Sequence, residues 1–204
     1  MPRKTPTPPP GTYHLVARVV NKEIVLDEVT CEFFVKVLHA YAHLLGFQII
    51  TYCVVPHHFQ LLVVLSSAGS DALITLDDWE ARLHAAMGPQ SMLQTTSKIK
   101  QLRQNADQKE TRQWLNDQMK RRHSLSEFVK SLKMRVCRWY NWKHNSSGVF
   151  WETRFDYSMV APEDIPSAAA AIDLLPVRDG IVTNPADYRW CGYAASRSAA
   201  VSPA

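Results

Sequence analysis

His58, Phe59 and Gln60 stand on an apolar run, HHFQLLVVL from His57 to Leu65. Side chains two apart on a strand share a face, so His58 and Gln60 point one way while Phe59 and Leu61 enter the opposite layer. An imidazole nitrogen and an amide oxygen together could hold one divalent cation such as Mn²⁺ or Mg²⁺. The bland alternative is a strand histidine satisfied by a carbonyl, and the pair taken alone favours it. A second pair, Tyr140 and His144, lies four apart and therefore on one helical face, where a phenol could attack a metal-polarised phosphate. Packing competes with that reading, because Tyr140 also falls in the apolar stripe of its helix.

The cations are unevenly placed. Between Lys98 and Lys143 there are thirteen Lys and Arg against four Asp and Glu, a local excess of nine positive charges in a chain of net charge +4. Such asymmetry suits a polyanion bound with counterion release; a solvated helical face is the competing explanation. Lys130, Lys133, Arg135, Arg138, Lys143 and Arg154 are the expected phosphate contacts. Trp142, with Trp139, Phe150 and Trp151 near it in sequence, could stack unpaired bases.

Around these residues the pattern runs strand, helix, strand, strand, helices, helix, strand, helix. Tyr13 to Val20 reads as a strand, Asn21 to Asp27 as a connection, and Glu28 to Leu45 as a helix stopped by Gly46, with Phe34, Val37, Leu38, Tyr41 and Leu45 on one face. Phe47 to Val55 and His57 to Leu65 are strands parted at Pro56, and they should pair antiparallel. Residues 66–123 read as a polar helical insertion broken at Gly88-Pro89. Ser124 and Glu127 form a capping box that opens a helix to about Lys143. A strand from Val149 to Val160 and an alanine-rich helix from about Pro162 to Leu175 follow. This is the α+β, ferredoxin-like split βαβ sandwich, with an antiparallel sheet, a helical insertion and an additional C-terminal helix.

The expected domain spans residues 13–193, with a disordered segment at 1–12 and a flexible tail at 194–204. One core suffices for 204 residues at 46% hydrophobic content. No run of eighteen apolar residues is present and the N-terminus is rich in proline, so no membrane segment and a cytoplasmic location are expected. Cys31, Cys53, Cys137 and Cys191 show no C-x-x-C spacing and read as small buried hydrophobes.

Three stretches occur in the order found in the REP-associated tyrosine transposases, a branch of the single-tyrosine HUH endonucleases of insertion-sequence type. They are ITYCVVPHHFQLL from Ile50, RWYNWKHNSSGVFWETRF from Arg138, and AIDLLPVRDGIVTNPADYRWCGY from Ala171. With YHLVARVV at Tyr13 the resemblance spans most of the chain to Tyr193. It implies a ferredoxin-like fold, a divalent metal (Mg²⁺ or Mn²⁺), and cutting and rejoining of single-stranded DNA beside hairpin-forming repeats, by a monomer or a homodimer.

Residue by residue, the resemblance has two departures. The pattern P-N-H-hydrophobic-H reads here Pro56-His57-His58-Phe59-Gln60, so the first histidine is His58 and the second is Gln60; His57 leaves from the other face of a regular strand. Viral rolling-circle initiators of the same superfamily are similar in accepting glutamine at that place. In the motif Y-I-x-x-N-P-V-[KR]-x-G-[LI]-V the tyrosine's place is Ala171, and the polar residue one helical turn later is Leu175. By the same alignment Tyr140 occupies a helix position that packs in the family.

The expectation is a transposase-type protein that binds single-stranded or hairpin DNA with degenerate catalysis. The alternative is active nicking and strand transfer through Tyr140, with His58, Gln60 and His144 on the ion. A third reading, an RNA-binding ferredoxin-like domain, lacks an RNP-type strand such as K/R-G-F-G-F-V.

Overall fold

The computed structural model describes residues 8–20, 25–67, 74–105 and 107–201. Most of the connection expected after the first strand, and seven of the first ten residues, lie outside that range. The elements are β1 (Gly11–Arg18), α1 (Glu28–Leu45), β2 (Phe47–Val55), β3 (His58–Leu65), α2 (Leu76–Ala86), α3 (Pro89–Asn105), α4 (Gln108–Met119), α5 (Leu125–Lys143), β4 (Asp156–Val160), α6 (Ile165–Asp173), α7 (Leu175–Arg178) and α8 (Gly192–Val201). The strands form one antiparallel sheet in the order β2-β3-β1-β4, the split βαβ order expected from the pattern.

Local chemistry sets the boundaries of α1. Asp27 accepts from the Thr30 amide at 2.7 Å and so caps its first turn. Gly46 ends it at φ +77°, a conformation that costs glycine no Cβ clash. At the start of α5, Ser124 accepts from the Glu127 amide at 3.3 Å, but the Glu127 carboxylate reaches Arg121 at 2.7 Å instead of closing the expected box.

The sheet has two covered faces. Tyr13, Leu15, Ala17 and Val19 of the β1 segment meet Phe59, Leu61 and Val63 of β3 and the apolar faces of α1 and α5 in the main core. The insertion joins this layer through Trp79, Leu83, Ala86, Met92 and Ile99. On the other face Cys53, Val55 and Leu62 pack under Ile172, Leu175, Tyr188, Cys191 and Ala194. A register shift between Ile49 and Thr51 decides which side chains of β2 reach that second layer. Ile49 packs against the main core, and the extra residue lets Thr51, Cys53 and Val55 face the C-terminal helices.

Four further expectations need correction. The fourth strand is shorter than residues 149–160, because Trp151 anchors the chain ahead of it. That indole is 3% exposed, rests against Phe34 and Phe59, and donates Nε1 to the Lys133 carbonyl at 3.1 Å. Val19 meets Trp151 in a single bridge, and only from Asp156 does a continuous ladder with β1 form.

The helix expected over 162–175 is a 3-10 turn at Pro162–Asp164 followed by α6 and α7. Pro176 has no N–H to continue the ladder, so α6 ends at Asp173 and α7 begins after Leu174. The chain after Tyr193, expected to be a flexible tail, is helical to Val201: alanines favour the helix, and Ala194 is buried in the second layer. The first strand likewise starts at Gly11, with Tyr13 donating its hydroxyl to the Pro9 carbonyl at 2.7 Å, so part of the expected disordered segment is ordered.

Asp173 locks the C-terminal layer in place. Its Oδ1 accepts from the Thr51 hydroxyl at 2.6 Å and from the Tyr193 amide at 3.2 Å, tying α6, β2 and α8 together. Next to it Val54 N donates to the Trp190 carbonyl at 3.1 Å, and the backbones of Cys53 and Cys191, both free thiols, pair in a single antiparallel β-bridge, so the outer edge of β2 is partly covered. Among the described residues no helix is long and apolar enough to cross a membrane.

Candidate functional site

His58 is the first residue of β3 and Gln60 follows on the same face, on the side of α6 and α7, as strand alternation requires. Val16 lies opposite Gln60 on β1, and His14 stands two residues before it. The Gln60 amide is held between two imidazoles: His14 Nε2 meets its Oε1 at 2.8 Å, and its Nε2 lies 3.2 Å from His58 Nε2. An amide can turn end for end at little change in shape, so this arrangement suits either tautomer of His58. Gln60 orients the two rings.

His57 behaves differently from the sequence expectation. It sits in the two-residue turn between β2 and β3, outside the ladder, where alternation no longer governs direction. The turn is fixed by its backbone: Val19 N donates to the His57 carbonyl at 2.9 Å, and Val25 and Leu26 donate to the Pro56 carbonyl. Its ring comes to 4.6 Å from that of His58.

A carboxylate arrives from the far end of the chain. Asp179 follows α7, its amide bonded to the Leu175 carbonyl at 2.9 Å, and Gly180 next to it takes φ +69° to end the turn. One ligand atom each of His57, His58 and Asp179 lie within 4.8 Å of one another. Burial, followed by the neighbouring His57, pulls the His58 pKa down to about 4, with Asp179 opposing the shift. His58 is therefore a neutral imidazole at pH 7.

The remaining sequence-derived positions separate into two groups by face. Ala171 is exposed on α6 and presents only a methyl group. Leu175, one turn on, is 6% exposed and packed in the second layer, and the next turn brings Asp179. Tyr140 and His144 do pair, with ring centroids 4.2 Å apart, and Tyr140 also abuts Phe150 at 5.1 Å. That cluster packs on the main core, whereas His58 and Gln60 face the opposite layer, so Tyr140 and His144 are not brought to the histidine site. His144 instead lies 3.9 Å from the Asp27 carboxylate. Tyr188 shares the layer of Asp179, but its hydroxyl donates to the Val54 carbonyl at 2.7 Å.

The expected DNA contacts divide as well. Lys130, Arg138, Lys143 and Arg154 are exposed, and Trp142 is 79% exposed. Lys143 lies over the Trp139 ring at 5.4 Å, and Trp139 itself stacks on Phe33 at 4.2 Å. Lys133 and Arg135 are used by the fold. Lys133 donates Nζ to the Glu152 carbonyl at 2.5 Å, and Arg135 lies over the Phe33 ring at 5.0 Å. Burial lowers the pKa of both side chains. Between α5 and the 148–155 segment runs a groove of about 590 Å³, with Lys130, Arg138, Met134, Val149 and Phe155 among its walls.

Sheet order, a helical layer on each face and a histidine-bearing hairpin beneath C-terminal helices define an α+β sandwich with the split βαβ strand order. Neither a family model nor a curated protein matches the sequence. Among solved structures, the REP-associated tyrosine transposase bound to a REP hairpin aligns over 100% of this chain and 88% of its own, at 12% identity with a TM-score of 0.58. A transposase candidate from Deinococcus radiodurans R1 aligns over 85% of this chain and 96% of its own, at 14% identity with a TM-score of 0.41. The first of these shares the fold of this chain, and the resemblance read from the three sequence stretches therefore holds at the level of architecture.

Proposed function

We propose that this protein binds single-stranded or hairpin DNA along the exposed cations and Trp142 of α5 and no longer forms a phosphotyrosine link. The observation that carries the second half is Ala171. It stands exposed on α6 with a side chain that cannot attack phosphorus, while Leu175 one turn later is buried and apolar. The first half is supported by the charge excess on the 98–143 segment and by the shared fold with a transposase bound to a REP hairpin. A cytoplasmic location belongs to the same proposal.

A nicking reaction would need a divalent ion, Mg²⁺ or Mn²⁺, to polarise the phosphate. His58 and Gln60 would then stand nearest the work expected from the resemblance, with Gln60 orienting His58. The test incubates the purified protein with labelled hairpin repeats and Mg²⁺ or Mn²⁺, and measures retained complex and covalent adduct separately. The proposal expects saturable binding and no adduct; an adduct formed by the wild-type protein refutes it. A Gln60→His, Ala171→Tyr double variant that gains an adduct shows that the rest of the site still positions DNA. Competition between DNA and RNA hairpins of equal sequence decides which nucleic acid is preferred.

A further inference from the structure

The turn between β2 and β3 gathers three side chains that strand alternation and motif alignment both leave apart. His57 comes from the turn, His58 from the first position of β3, and Asp179 from the residue after α7. We propose that His57, His58 and Asp179 form a divalent-cation site, displaced by one residue on the hairpin and by one helical turn on the C-terminal layer from the places marked by Gln60 and Leu175.

The older places are filled by other duties. Gln60 spans His14 and His58, at 2.8 and 3.2 Å, and Leu175 is sealed in the second layer. The new trio is open to solvent on one side, since Asp179 is exposed and both histidines are partly so. The backbone that carries the two histidines is held by Val19, Val25 and Leu26, which donate to the turn carbonyls, so both residues are placed side by side before any ion arrives.

Two imidazole nitrogens and one carboxylate oxygen suit borderline ions, Zn²⁺, Co²⁺ or Mn²⁺, better than Mg²⁺. Bonds of about 2.0–2.1 Å place the donors of a tetrahedral ion roughly 3.3 Å apart. The ligand atoms lie within 4.8 Å of one another, so closing on an ion needs side-chain rotation of no more than about 1.5 Å, and Asp179 is exposed and free of packing on its outer side. Three protein ligands leave a coordination position open, as in sites where metal meets a substrate oxygen. The inference goes beyond DNA binding and does not depend on it, because the ion is the only ligand it needs.

The experiment uses full-length, tag-free protein stripped with chelator, titrated with Co²⁺ by absorption spectroscopy and with Zn²⁺ and Mn²⁺ by calorimetry. One equivalent should bind, and His57→Ala and Asp179→Asn should each weaken binding about tenfold or more. Asp179→Asn keeps the shape of an exposed side chain, so its loss of affinity cannot come from unfolding; circular dichroism verifies this. Wild-type protein that binds no ion overturns the assignment, as do His57→Ala and Asp179→Asn variants that bind as tightly as wild type. Loss of metal binding with intact hairpin binding would separate this site from the DNA surface.

Discussion

Single replacements along α5 separate cations that are free to meet phosphate from cations that the fold itself consumes. Arg138 is exposed, one helical turn before the exposed Trp142. Lys133 points its ammonium at the Glu152 carbonyl, 2.5 Å away. If a single strand lies along α5, each phosphate contact contributes about 0.7 to the slope of log K against log salt concentration. Arg138→Ala should therefore lower the slope by about 0.7 and leave thermal stability unchanged. Lys133→Ala should leave the slope alone and lower stability by roughly 0.5–1.5 kcal/mol, the net worth of one hydrogen bond. Trp142→Ala removes a stacking platform worth about 1–3 kcal/mol per base, a loss of roughly 5- to 150-fold in affinity at unchanged slope. Fluorescence anisotropy of a labelled hairpin with a single-stranded tail, at several salt concentrations between about 50 and 200 mM, reads all three. A slope that falls for Lys133→Ala but not for Arg138→Ala refutes the division drawn from the structure.

Two further outcomes follow from the second layer and the hairpin. A Cβ on Gly192 would stand 2.2 Å from the Thr51 hydroxyl and 3.1 Å from its Cα, so Gly192→Ala should lower the urea midpoint by the equivalent of roughly 1–3 kcal/mol; wild-type stability would mean that α8 docks elsewhere. His58 holds its proton only below about 4 in the folded state against 6.5 as the ordinary value, so the unfolded chain takes up the proton first as pH falls. Stability present above about pH 6.5 is then lost towards pH 4. The full shift corresponds to about 3 kcal/mol, reduced to about 1–2 for a side chain this open to solvent. Urea titrations in chelator at pH 7 and 5 should show a smaller difference for His58→Gln than for wild type, and equal differences would contradict the assignment.

Elements specified by nearby residues were legible in the sequence. The Gly46 stop and the stripe from Phe34 to Leu45 define α1 without reference to anything distant. The alternation of Phe59, Leu61 and Val63 likewise places one face of β3 in the main core. Errors begin where a tertiary contact overrides the local pattern. The β-propensity of the residues before Asp156 is real, yet the Trp151 indole finds its partners on α1, β3 and α5, and burying it takes the chain out of the ladder.

The site was half legible for the same reason. Alternation correctly pairs His58 with Gln60, because both lie inside the ladder with β1. It misplaces His57, because a rule about pleated strands says nothing of a turn residue. Asp179 could have drawn notice as the first acid after the Pro176 break, but only the packing of Ile172 and Leu175 on Cys53 and Val55 brings it to the hairpin. On the proposed reading, that packing lets the nucleophile be absent without loss of the fold. Placement of α6 rests on Asp173, held by Thr51 and Tyr193, and on its buried apolar side chains, whereas the Ala171 position faces solvent. A phenol at Ala171, as in the double variant, would therefore add a nucleophile and leave every contact that positions the helix.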